Sequence, residues 1–168
     1  MSNLLKSPRL PEKDLPRVVL TEDFPNASSW PIEGGWGYDL ESSVVINKKD
    51  PRLANTDSFN YVDFEYVFIE KRIYEELIVY RHEDARFSGI EWFLNLQTLQ
   101  EHNGRKYDVL SFNVSAFPDS AWNKLKADWI LHNGFENDPS GLVEHEGERE
   151  RARVNYETQY WFDINDFF

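Results

Sequence analysis

Asn103-Gly104 constrains this chain more than any other pair of residues in it. A two-residue type I′ turn needs positive φ at both central positions, which Asn and Gly tolerate, and its twist matches that of the strands it joins. The flanking runs suit that turn. Ile90, Trp92, Leu94 and Leu96 alternate before it, and Leu110, Phe112, Val114 and Ala116 alternate after it, with Ser111, Asn113 and Ser115 between them. This is a hairpin with one dry and one wet side, so the fold is expected to grow around an antiparallel sheet.

Other segments supply neighbours. Val62, Phe64, Tyr66 and Phe68 alternate with Asp63 and Glu65 and read as a half-buried strand; 43–47 reads as a further strand, 73–81 as another although its Tyr-Glu-Glu-Leu run also fits a helical turn, and 18–20 as a short strand or a docking point. Val154, Tyr156, Thr158, Tyr160, Phe162 and Ile164 form the apolar row of a last strand that belongs inside the sheet. The period changes after Pro118. Trp122, Leu125 and Trp129 recur at helical spacing from an Asp119 N-cap to a stop at Asn133-Gly134, and this helix is expected to cover the apolar sheet face. Residues 144–153 carry Glu–Arg pairs three apart, which support a second, solvated helix, although Gly147 weakens it. Residues 1–16, with Pro8, Pro11 and Pro16, read as an extended arm, and 48–58 as loop. The expectation is a single α+β domain over 1–168: an antiparallel meander sheet of about five strands with one main helix packed on one face.

The formal charge is −12, distributed as −2 over residues 1–50, −4 over 51–100 and −6 over 101–168, so it is no detachable tail. Six Trp, eight Tyr and twelve Phe place that charge on a folded surface rather than on a disordered acidic segment. Such a field repels nucleic acid and anionic membranes and attracts basic partners. With no cysteine, the fold is held by packing, without disulfides or thiolate metal sites. The chain has no apolar run of membrane-spanning length and no recognisable signal segment, and a cytoplasmic location is expected.

The polar rows of the expected strands collect Asp63, Glu65, Glu91, Asp108, Glu157 and Asp163, with Trp161 as an aromatic anchor among them. If those rows coincide, they form an acidic face that captures a basic protein. The leading expectation is therefore a non-enzymatic acidic binding protein of the immunity or inhibitor kind. A second reading is a binding domain or an enzyme built on the loop 30–39, in which Trp30, Glu33, Trp36, Tyr38 and Asp39 would stack on and hydrogen-bond a small molecule or sugar; a third is a structural or assembly subunit. No catalytic residue, metal ligand set or cofactor is assigned. His82, His102, His132 and His145 lack metal-ligand spacing and any His-Glu-x-x-His motif.

Overall fold

The computed structural model describes residues 3–53 and 60–167; Met1 and Ser2 of the expected arm and part of the expected 48–58 loop lie outside them. The architecture is α+β. Six strands form one mixed, mostly antiparallel sheet: β1 (Asn3–Leu4), β2 (Ile32–Gly34), β3 (Val44–Ile46), β4 (Phe87–His102), β5 (Arg105–Pro118) and β6 (Val154–Asp163). The described α-helices are α1 (Pro16–Asp23), α2 (Tyr61–Tyr74), α3 (Asp119–Leu131) and α4 (Pro139–Ala152). The strand order is β2-β3-β6-β5-β4, with β1 beside β6. β1 and β3 run parallel to β6 and every other pairing is antiparallel, so the expected all-antiparallel meander is corrected to a mixed sheet.

The hairpin forms where Asn103-Gly104 places it. Both residues have positive φ, 51° and 76°, and His102 lies opposite Arg105. β6 is central, and Tyr156, Tyr160 and Phe162 share the core with Leu110, Phe112 and Val114 of β5.

The strands expected at 62–68 and 73–81 are one helix. α2 starts on Asn60, whose side chain accepts from the Val62 N–H at 3.0 Å, and a π-turn at Glu75–Val79 extends it. Its buried positions and those of the extension, Phe64, Glu65, Phe68, Ile69, Arg72, Ile73, Glu75, Glu76 and Leu77, follow a helical rather than a strand period. Four of those nine are charged, which broke the apolar stripe in the sequence. Asp63 and Glu65 consequently leave the sheet for α2, with Asp63 exposed and Glu65 buried.

The expected single main helix is also corrected. α2 covers the apolar sheet face, with Phe68 edge-on to Phe162 at 5.8 Å. α3 sits over Phe117, whose side chain points to the other face, and Trp122 packs on that ring at 5.1 Å. Asp119 lies inside the first turn of α3, where it accepts from the Ser88 hydroxyl at 2.6 Å. α4 begins earlier than the expected 144, because Asp138 caps it through the Gly141 N–H at 2.9 Å. Val18 to Leu20 belong to α1, which Pro16 opens.

β6 has a complete neighbour, β5, on one side only. On the other side β1 pairs at Val154 and Asn155, and β3 pairs at Phe162 and Asp163. The loop between β2 and β3 enters the gap: the Gly37 carbonyl accepts from the Trp161 N–H at 2.9 Å. Gly37 has φ of 78°, and a Cβ there would stand 3.2 Å from the Trp161 carbonyl, so glycine alone allows this approach. Arg72 of α2 completes the join. Its guanidinium donates to the carbonyls of Trp36 (2.8 Å) and Gln159 (2.9 Å) and to the Thr158 hydroxyl (2.6 Å), and it stacks on the Tyr160 ring at 3.6 Å. Glu76, one turn on, lies 3.0 Å from its Nε and accepts from the Tyr38 and Tyr156 hydroxyls at 2.6 and 3.1 Å. Neither side chain of the ion pair is exposed.

Arg72→Met leaves Glu76 buried without its cation and is expected to lower unfolding stability by about 3–5 kcal/mol in urea denaturation. Adding Glu76→Met to that variant is expected to restore a large part of the loss; a double variant as unstable as the sum of the two singles would contradict the coupling.

Candidate functional site

The face of the sheet opposite α2 carries one row of side chains from each of three strands, exposed mainly on the outer two. Register places them in five rungs: Glu91–Ser115–Asn155, Phe93–Asn113–Glu157, Leu96–Ser111–Gln159, Thr98–Val109–Trp161 and Gln100–Tyr107–Asp163. α3 and α4 cover the Phe117 end of this face. Phe93 and Leu96 are 61% and 56% exposed, whereas Tyr107 and Val109, on the middle strand between longer neighbours, are buried.

The side chains expected on one acidic face divide among several places. Glu91, Glu157 and Trp161 are on the rungs. Glu91 and Glu157 are exposed, and Arg153 comes no closer than 4.0 Å to Glu91. Trp161 is half-buried, with its indole N–H on Gln159 at 3.3 Å and the His102 and Tyr107 rings beside it. Asp163 shares the face but is buried and taken up by Arg105 and Asn165. Those hydrogen bonds outweigh burial and hold its carboxyl below the usual range. Asp108 has the opposite parity. It points to the α2 side opposite Leu99, accepts from the Gln97 amide at 2.7 Å, and stands in the field of Glu65.

The loop at 30–39 uses its rings structurally. Trp36 is 1% exposed, and its indole N–H donates to the Asp14 carbonyl at 2.6 Å; Tyr38 is buried on Glu76; Trp30 packs edge-on against Phe64. Glu33 is exposed and accepts from Asn47 at 3.3 Å. Asp39 accepts from the Ser42 hydroxyl, which draws its carboxyl below the ordinary value. Beside the loop is an open cleft of about 470 Å³ bordered by Glu12, Trp36, Tyr38, Asp39 and Glu41, to which the two buried rings turn little surface.

The histidines are dispersed. His82 is exposed on Asp84, and His102 flanks Trp161. His145 and His132 both reach Asp128, at 2.8 and 3.2 Å, and with the Phe135 and Trp129 rings they pin α4 to α3. A neighbouring apolar groove of about 380 Å³ runs between those helices, lined by Trp122, Leu125, Trp129 and Ile130.

The sequence reading missed Phe93, Leu96 and Leu99 as surface groups. Leu94 pairs with Phe112 and Leu96 with Ser111, so Asn95 is a bulge and the two leucines lie on opposite faces. Comparison of the chain with protein-family models, with curated proteins and with solved structures finds no match.

Two buried carboxyls lie outside this surface. Among the described residues no hydrogen-bond donor satisfies Glu65 or Glu75. Burial, reinforced by Asp108, pushes Glu65 up from 4.5 to about 8; burial, reinforced by Asp23, pushes Glu75 up to about 9. Between 4.5 and those values the native state holds more protons than the unfolded state, so the stability they confer is complete below about pH 4.5 and is lost as pH rises through 8 and 9. Glu65→Gln, neutral at every pH, is expected to flatten this decline and to be more stable than the parent at pH 9 by about 2 kcal/mol. Urea denaturation from pH 5 to 9 checks it, and parallel profiles for the two proteins would refute it.

Proposed function

We propose that this protein is a non-enzymatic binding protein that captures a basic protein partner on the open face of its sheet, in the manner of an immunity or inhibitor protein. One observation carries the reading: the exposed carboxylates Glu91 and Glu157 share one ladder of cross-strand rungs with the exposed Phe93 and Leu96 and the half-buried Trp161. Apolar and aromatic side chains supply contact that persists once water is expelled, whereas a rim of like charge raises the encounter rate and selects the partner's sign.

The net charge of −12 extends this steering beyond the face itself. At strand spacing, three strands by five rungs present a strip roughly 10 Å by 27 Å. That is less than the roughly 800 Å² each partner contributes to a standard interface. The partner is therefore expected to reach past the strip toward flanking elements. The small-molecule reading of loop 30–39 gains no support, because Trp36 and Tyr38 have no free ring face to offer.

A photoreactive residue at Gln159 in cells that make the protein is expected to yield an adduct with a protein of high isoelectric point, and the same residue at Asp63 on α2 is not. Combining Glu91→Lys with Glu157→Lys is expected to lower the adduct yield at least about tenfold and to slow association with the identified partner, with a weaker salt dependence. Adducts from Asp63 alone, or a yield unchanged by both reversals, would overturn the proposal.

A further inference from the structure

We propose that the free edge of β4 pairs antiparallel with β4 of a second copy of this chain, joining the two sheets about a two-fold axis at the Asn95 bulge. β4 is sixteen residues long and ends the strand order, with β5 as its neighbour among the described strands. Long edge strands are ordinarily blunted by Lys, Pro, brevity or bulges, and of these β4 has bulges alone, between Ser88 and Glu91 and at Asn95. From Ile90 to Leu99 this edge has neither Lys nor Pro, and Glu91 is its sole charge.

The exposed apolar groups straddle the edge. Phe93 and Leu96 are on the open face. Leu94 (38% exposed) and Leu99 (61%) are on the α2 face. There Tyr66 of α2 is edge-on to Phe112, the cross-strand neighbour of Leu94. A partner docking flat on either face would leave the other row wet. An added strand covers both, provided it too is apolar on both sides.

β4 is such a strand, and the bulge selects its own copy. Because one extra residue at Asn95 reverses the parity, antiparallel self-pairing keeps every side chain on its own face when Phe93 lies opposite Leu96 of the second copy. In that register Ile90 meets Leu99, Trp92 meets Gln97 and Glu91 meets Thr98, so no like charges oppose. A basic partner strand would find Glu91 as the one carboxylate along this stretch of the edge. With Asn95 bulged out, nine paired residues a side give about nine main-chain hydrogen bonds. They number fewer than the roughly 20–30 residues a side of a standard interface, so a dissociation constant on the order of 10 μM is expected.

Sedimentation equilibrium of the full chain from about 1 to 200 μM tests this. The expected result is a monomer–dimer equilibrium, rising from the 19.9 kDa monomer, that tightens with salt as the repulsion between two acidic copies is screened. Capture of a basic partner has the opposite salt dependence, so the two proposals fail separately. Leu96→Lys, at an exposed site, is expected to weaken the dimer at least roughly tenfold, and Glu157→Lys to leave it within about twofold. In this cysteine-free chain, Phe93→Cys with Leu96→Cys is expected to give an oxidised dimer, and either alone is not, because each residue and its own symmetry mate are beyond the ~7 Å Cα reach of a disulfide. A monomer throughout the range, a dimer indifferent to Leu96→Lys, or equal crosslinking of single and double variants would overturn it.

Discussion

The Arg72 guanidinium holds together the one place where this sheet lacks a strand. Between its short contacts with β1 and β3, β6 has main-chain groups with no partner strand, and buried main-chain groups left unpaired destabilise a fold by a few kcal/mol each. Arg72 satisfies the Gln159 carbonyl of β6 and the Trp36 carbonyl of the inserted loop from a single planar group. Its fixed fork suits this bridge; a Lys ammonium in the same place would lack both the geometry and the stacking on Tyr160. Glu76 makes the buried charge tolerable, and Tyr38 and Tyr156 in turn satisfy Glu76. Helix, loop and central strand are thereby fixed in one relative orientation, which commits α2 to one sheet face and leaves much of the other open.

That same network explains where the sequence misleads. The hairpin and β6 were legible because their alternation is uninterrupted and Asn103-Gly104 names its own turn. α2 was not, because Glu65, Arg72 and Glu76 occupy buried positions that an apolar stripe would otherwise mark, and the residues left over, from Val62 to Phe68, alternate by coincidence. Charge inside a helix stripe is rare enough that hydrophobic period is normally a sound guide. Arg72 is inside because the sheet needs a donor there and Glu76 because Arg72 needs a counter-charge, whereas Glu65 takes no part in that network. The error over α3 has the same root: once α2 is read as strand, the sheet's dry face has no other helix to cover it.

The candidate face was half legible. Glu91, Glu157 and Trp161 fall together because each lies on the wet parity of a correctly read strand. Asp108 was misplaced by parity alone, being even-numbered beside Leu110 and Phe112, and its neighbours Glu65 and Gln97 belong to the opposite side. Asp163 is on the face but neutralised by Arg105. Acidity is therefore less concentrated on this surface than composition suggested, and most of the net charge acts at a distance. The surface itself is amphipathic, and its apolar and aromatic groups are Phe93, Leu96 and Trp161.

Asn95 links the face to the edge beside it. Bulges commonly protect edge strands by twisting them out of line with an incoming regular strand. This one also reassigns Leu96 from the dry face to the wet one, so a regular strand that matched the apolar row before the bulge would be out of phase after it. A sheet edge of this kind resists most strands while admitting one with the same irregularity at the same distance from its ends. The other sheet edge, β2, is three residues long and too short to template anything. Brevity blunts one edge, and the out-of-phase bulge filters partners at the other. The exposed apolar groups on both sides of β4 are the strongest physical sign that this second edge is selective rather than closed.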